Sequence, residues 1–241
     1  GTLNDTQAIA VTVTPVNDNN PEITSNGGLA SAAVNVAENA TAVTTVTASD
    51  ADLPAQTLTY AIVGGADQAL FSINASTGVL SFASAPDYET PTDAGANNVY
   101  DVIVQASDGT LSTTQAISVT VNPLNDNAPD ITSDGGGATA SISVAENATA
   151  VTTVTASDAD LPTQSLTYSI NGGADAAKFS INASTGVLSF TAAPNFEAPT
   201  DAGANNVYDV IVQASDGTLN DTQAIAVTVT PVNDNNPEIT S

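Results

Sequence analysis

Asn125-Asp126-Asn127-Ala128-Pro129 lies at the midpoint of the chain and has two counterparts, Asn17-Asp18-Asn19-Asn20-Pro21 and Asn233-Asp234-Asn235-Asn236-Pro237. The intervals are equal, 125 − 17 = 108 and 233 − 125 = 108. A polar stretch that returns at one spacing marks the hinge between consecutive domains of a repeat array. Residues 21–128 and 129–236 then form two whole repeats, residues 1–20 the C-terminal part of a preceding repeat, and residues 237–241 the start of a following one. Residues 1–25 are identical to residues 217–241, so the chain is expected to be a segment of a longer tandem array.

Working outward from the hinge, the first repeat reads as a series of short strands rich in β-branched residues: Val34-Asn35-Val36, Val43 to Ala48, and Leu58 to Ile62. Phe71-Ser72-Ile73 and Leu80-Ser81-Phe82 flank the turn-rich Asn74-Ala75-Ser76-Thr77-Gly78 and make a hairpin. Two longer strands alternate strictly, Tyr100, Val102, Val104, Ala106 and then Ile117, Val119, Val121. No segment carries a helical period. About seven strands in about 108 residues predict an all-β protein of antiparallel β-sandwiches. Most aromatic residues fall at core parity, and Lys178 in place of Leu70 argues that this position faces water.

Charge narrows the function. Twenty-six acidic residues face a single basic one, Lys178, for a formal net charge of −25. Such a chain repels phosphate backbones and anionic lipid, so neither nucleic acid nor membrane insertion is expected, and cations are its natural partners. No apolar run approaches the roughly 20 residues that cross a bilayer. There is no Cys and no His, which removes the common nucleophile–base pairs and argues against an enzyme.

Parity adds a sharper clue. In the strand Tyr100, Val102, Val104, Ala106 the next residue of the same parity is Asp108, and Val46, Ala48 continue into Asp50 and Asp52. The second repeat places Asp158, Asp160 and Asp216 likewise. A lone buried carboxylate is costly, so acids aimed with the core predict a cation at the end of the sandwich.

The set Val36-Ala37-Glu38-Asn39, Asp50-Ala51-Asp52, Asp87-Tyr88-Glu89, Ala106-Ser107-Asp108 and Asn125-Asp126-Asn127-Ala128-Pro129 resembles, in order and spacing, the calcium motifs of cadherin repeats. It looks most like the cadherin-like tandem repeats of large bacterial surface proteins, the adhesins of biofilms among them. The resemblance implies tandem seven-stranded Greek-key β-sandwiches, cadherin/immunoglobulin-like, joined end to end with calcium at the linkers. Carried onto this sequence, the complete inter-repeat site would be Glu38, Asp87, Glu89, Asn125, Asp126, Asn127, Asp158, Asp160 and Asp216. A partial N-terminal site would use Asn17, Asp18, Asn19, Asp50, Asp52 and Asp108; a partial C-terminal site would use Glu146, Asn195, Glu197, Asn233, Asp234 and Asn235. Oxygen donors in this number suit calcium, with about six to eight oxygens per ion. Pro123 stands where the family's linker usually carries an Asp, so roughly two or three ions are expected at the central junction. Asn195 in place of Asp87 predicts weaker binding at the junction after the second repeat.

The function implied is non-enzymatic: calcium-rigidified extender repeats of a bacterial cell-surface adhesin, extracellular, with calcium and neighbouring repeats as partners. The alternative is a calcium-dependent binding module for polysaccharide or for homophilic contact with another cell's surface protein.

Overall fold

A computed structural model describes residues 1–235, so the residues assigned to a following repeat, 237–241, lie outside the described residues. The chain divides into two compact units, Gly1–Leu124 and a second that begins at Asn125. Each is described by itself.

In the first unit the strands are β1 (Glu22–Ile23), β2 (Ser31–Ala37), β3 (Ala42–Thr45), β4 (Ala48–Ser49), β5 (Thr59–Gly64), β6 (Phe71–Ile73), β7 (Val79–Phe82), β8 (Val99–Ser107) and β9 (Ser112–Asn122). One sheet has the order β2-β9-β8-β5 and the other β3-β7-β6, with β1 pairing to β4. Period-2 alternation sends Tyr100, Val102, Val104 and Ala106 of β8 and Ile117, Val119 and Val121 of β9 inward. They meet Leu80, Phe71 and Phe82 from the opposite sheet and Val46 from the segment between β3 and β4. The two Phe rings stack at 4.6 Å, and Tyr100 meets Phe82 edge-on at 5.1 Å.

Three features differ from the sequence reading. The sandwich is not wholly antiparallel, because β2 pairs with β9 in parallel, from Ser31↔Ala116 to Ala37↔Asn122. The expected single strand from Val43 to Ala48 is broken at Val46, whose N–H donates to the Gly78 carbonyl at 2.8 Å. Gly78 has φ +69°, and a Cβ there would collide with the Val46 carbonyl, so the hairpin can press against this point only with glycine. Finally, Leu70 is half-buried against the core, and Lys178 is also half-buried, so that position does not simply face water.

The second unit repeats the plan with β10 (Asp130–Ile131), β11 (Thr139–Ala145), β12 (Ala150–Thr153), β13 (Ala156–Ser157), β14 (Thr167–Gly172), β15 (Phe179–Ile181), β16 (Val187–Phe190), β17 (Val207–Ser215) and β18 (Asn220–Thr230). Its sheets are β11-β18-β17-β14 and β12-β16-β15, with β10 on β13.

Candidate metal centre

Each unit gathers acids at the ends of its strands. At the pole of the first unit where β4 and β8 end, Asp50, Asp52 and Asp108 bring ligand atoms within 4.8 Å of one another. Local backbone amides orient them. Asp50 uses Oδ1 to accept the Asp52 N–H at 2.9 Å, and Asp108 uses Oδ1 to accept those of Thr110 and Leu111 at 2.6 and 2.7 Å. One oxygen of each carboxylate is thereby tied to its own turn while the other, Oδ2, is buried with no partner. Asp52, only 5% exposed, accepts the Asn19 backbone N–H at 3.0 Å and its side-chain NH₂ at 2.6 Å. The Asn19 amide holds the Asp52 carboxyl below the usual carboxylate range, against the opposing pull of burial. The Leu111 and Thr110 amides do the same for Asp108.

The second unit builds the same pole from Asp158, Asp160 and Asp216, again within 4.8 Å. Asp158 Oδ1 accepts the Asp160 N–H at 3.0 Å and its Oδ2 is buried and unpartnered. Asp160 Oδ1 accepts the backbone and side-chain N–H groups of Asn127 at 3.2 and 2.9 Å. Burial pushes the Asp160 carboxyl up, but the amides of Asn127 and Asp126 outweigh it and leave it lowered. Asp216 is lowered too, its burial being outweighed by the N–H groups of Thr218 and Leu219. Asn125 sits against Asp216 and, with its amide turned to suit its neighbours, donates to Asp216 Oδ2 at 3.0 Å.

At the opposite pole of the second unit Glu146, Glu197 and Asp234 form another group within 4.8 Å. Glu146 follows β11 and is 3% exposed. Its Oε1 accepts the Val232 N–H at 2.7 Å and its Oε2 that of Phe196 at 2.8 Å. These same amides lower its pKa, against burial. Asn195 Oδ1 accepts the N–H groups of Glu197 and Ala198 at 2.9 and 3.1 Å, and Asn147 donates to Asp234 Oδ2 at 2.7 Å. Asn233 lies beside this group in sequence, and Asn235 donates to Asp234 Oδ1 at 3.0 Å.

The equivalent pole of the first unit holds Glu38, Asp87 and Glu89. Glu38 Oε2 accepts the Tyr88 N–H at 2.8 Å and Oε1 that of Leu124 at 2.6 Å, while Asp87 Oδ1 accepts those of Glu89 and Thr90 at 3.0 and 3.1 Å. This glutamate therefore clamps the Asp87-Tyr88-Glu89 loop to the exit of β9. Sequence reasoning did not foresee that architectural task.

It also missed the acids that support the loop. Asp67 accepts the N–H groups of Ala94 and Asp101 at 2.7 and 2.8 Å, and Asp93 accepts those of Gly95, Asn97 and Asn98. Asn98, at φ 61°, returns a bond from Nδ2 to the Tyr88 carbonyl at 2.9 Å. Asp175, Asp201 and Asn206 repeat the arrangement. A signal was present: the turn-forming run Asp93-Ala94-Gly95-Ala96-Asn97-Asn98 is retained unchanged at 201–206.

The donor sets fit a hard divalent cation. Every group offers oxygen only, and Asn17 Oδ1, Asp50 Oδ2, Asp108 Oδ2 and Asp158 Oδ2 are buried without a partner, a state that a bound cation would satisfy.

A family model described as "Cadherin domain" matches residues 32–122 and 140–231. Cadherin EGF LAG seven-pass G-type receptor 2 of Mus musculus is 33% identical over 249 residues, covering 100% of this chain and 8% of that protein. Protocadherin-23 of Homo sapiens is 30% identical over 184 residues, covering 74% of this chain and 5% of that protein. The chain thus spans less than a tenth of these curated relatives. Among solved structures, Protocadherin Gamma B2 extracellular cadherin domains 3-6 superpose with a TM-score of 0.62 at 26% identity, over 91% of this chain and 55% of that one. Mouse Cadherin-23 EC22-24 gives 0.57 at 26% identity, over 91% of this chain and 67% of that one.

Proposed function

The chain belongs to the cadherin domain family, and from its near-identical repeats and acidic linkers we propose that it is a run of calcium-rigidified extender repeats of a bacterial cell-surface adhesin, working outside the cell and without catalysis. The observation that carries this reading is the behaviour of two copies of one linker. Asn19 leans forward onto Asp52 within the first unit, whereas Asp234 sits with Glu146 and Glu197, earlier in the chain, within the second. A linker with a repeat on each side can engage both acidic poles.

The central copy has that setting. Its ligand set would be Glu38, Asp87 and Glu89 from one repeat, Asn125, Asp126 and Asn127 from the linker, and Asp158, Asp160 and Asp216 from the next. Seven of these nine residues are carboxylates, and roughly two or three calcium ions would neutralise most of that charge. Calcium would supply a positive centre that turns mutual repulsion into a stiff joint. Extracellular calcium at millimolar concentration is the setting in which such sites fill. Small-angle scattering with calcium and with chelator tests the proposal: the expected result is a longer or stiffer particle and a higher melting temperature with calcium. Identical profiles and melting temperatures would sink it.

A second reading is homophilic contact between copies of this chain; one related structure is described as a cis-dimer of Protocadherin gammaB7 EC3-6, which is self-association of that protein. Calcium-dependent self-association in sedimentation would favour it over a spacer role.

A further inference from the structure

Each unit has a cavity in the same place, walled by the end of its hairpin, the loop that follows and the tyrosine of the next strand. In the first unit it measures about 310 Å³ and its lining includes Leu70, Phe82, Asp87 and Tyr100; in the second it measures about 420 Å³ and includes Lys178, Phe190, Asn195 and Tyr208. Three of the differences between the near-identical repeats fall on this wall: Lys178 for Leu70, Thr191 for Ala83 and Asn195 for Asp87. They act together. Asp87 and Asn195 each use Oδ1 to accept two N–H groups of their own turn, so the remaining terminal atom is a carboxylate oxygen in the first unit and an NH₂ donor in the second. Thr191 Oγ1 donates to the Lys178 carbonyl at 3.1 Å, a bond that Ala83 has no hydroxyl to make. The charged residue of the wall is Asp87 alone in one cavity and Lys178 alone in the other. Lys178 is the chain's single basic side chain among 26 acids, yet among the described residues it forms no ion pair.

We infer that the cavity of the second unit binds a sugar carboxylate, a hexuronic acid residue of an acidic polysaccharide. Lys178 Nζ meets one carboxylate oxygen in a charge-assisted hydrogen bond, and the Asn195 NH₂ donates to the other. The Tyr208 hydroxyl accepts the Thr200 N–H at 3.2 Å, which leaves its own proton for Thr200 Oγ1 at 3.4 Å or for a sugar hydroxyl. Phe190 and Pro194 offer the C–H face of the ring an apolar wall, the mixture of apolar lining and a few placed polar groups that small-molecule sites share. An Asp or Glu side chain carries the same charge but fills only a fraction of this volume, which favours the saccharide over an acidic peptide. The chain's net charge of −25 does not forbid the contact: beyond about 8 Å exposed charges are largely screened at physiological ionic strength, and the charge in the wall itself is the ammonium. Calcium has no part in this binding.

The test titrates the full chain with sodium D-glucuronate and with D-glucose in calcium-depleted buffer, followed by ¹H–¹⁵N NMR. Glucuronate should give saturating shifts at Thr191 and Ala198 while Ala83 and Thr90, their counterparts in the first unit, stay still. Glucose, of the same size but neutral, should bind roughly tenfold more weakly or worse, the loss expected when a hydrogen bond to a charged group goes. Lys178→Leu installs the residue that the first unit already carries at this place, so the fold has a precedent for it, and it should abolish the glucuronate shifts. Lys178→Arg should retain them. Shifts that persist in Lys178→Leu, an equal response from both units, glucose binding as well as glucuronate, or no shift at all would each overturn the assignment. A tri-glutamate peptide that binds more tightly than glucuronate would give the cavity to acidic peptides and overturn the saccharide reading. Because calcium is absent throughout, none of these outcomes bears on the calcium proposal.

Discussion

Residues 1–19 and 217–235 have the same sequence but different structures. In the second, Asn220–Thr230 is β18, held between β11 and β17, with Ile225, Val227 and Val229 no more than 1% exposed. In the first, no strand forms, and the equivalent Ile9, Val11 and Val13 are 77%, 83% and 89% exposed. The comparison teaches that strand propensity here is a fit to a pleated, half-buried surface, and without neighbouring strands the same letters have nothing to fit. The linker at the end of each copy behaves differently, since Asn19 still finds Asp52. Polar docking by a few short bonds survives where the apolar ladder does not.

The hardest way to break this comparison is deletion. Truncating the chain after Asp216 removes three buried apolar side chains worth about 1.5–3 kcal/mol each, together with both ladders of β18, against a typical total of about 5–15 kcal/mol. The second unit should lose its cooperative melt in calorimetry while the first keeps its own. Removing residues 1–15 should leave both melts in place, and a large loss of stability there would contradict the exposure of that segment. Single substitutions give a finer cut: Ile225→Ala should cost about 2–5 kcal/mol in denaturant unfolding, and Ile9→Ala less than about 0.5 kcal/mol.

The linker copies permit a third comparison. Calcium at a hundred times its dissociation constant should add about 2.7 kcal/mol per site to folded stability. Asp126→Ala should abolish more of that increment than Asp18→Ala, because on the proposed reading Asp126 alone is flanked by two whole repeats. Equal losses would refute the junction reading. The smallest effect is acid release. The Asn19 amide holds Asp52 below its ordinary range, so docking is fully present above the usual carboxylate pKa of about 3.9 and is lost as pH falls through the lowered value. In chelator, the Asn19 side-chain amide resonances should move over that acidic window while those of β18, held by apolar contact, stay fixed until the core melts.

What was legible in the sequence follows from range. Alternation in Val99–Ser107 and Ser112–Asn122 is local, so β8 and β9 could be read directly, and the same counting put Asp50, Asp52 and Asp108 with the core. Whether β2 would run parallel to β9 could not be read, because the two strands lie far apart in the chain and either direction leaves their alternation intact. The break at Val46 depends on a glycine in a distant hairpin. Glu38 and Asp87 have no parity argument at all: family resemblance brought them in, and only the structure shows Glu38 tying Tyr88 to Leu124.

The direction of β2 has a mechanical consequence. Tension transmitted along the chain enters the first unit at Pro21, ahead of β1, and leaves at Leu124, beyond β9. Because β2 and β9 point the same way, the load drags one past the other. It falls on the whole row of register partners from Ser31↔Ala116 to Ala37↔Asn122 at once. An antiparallel neighbour in that place would open bond by bond from one end, like a zip. Strand polarity alone thus gives each unit a shear-loaded latch, and that latch is present whether or not any cation is bound.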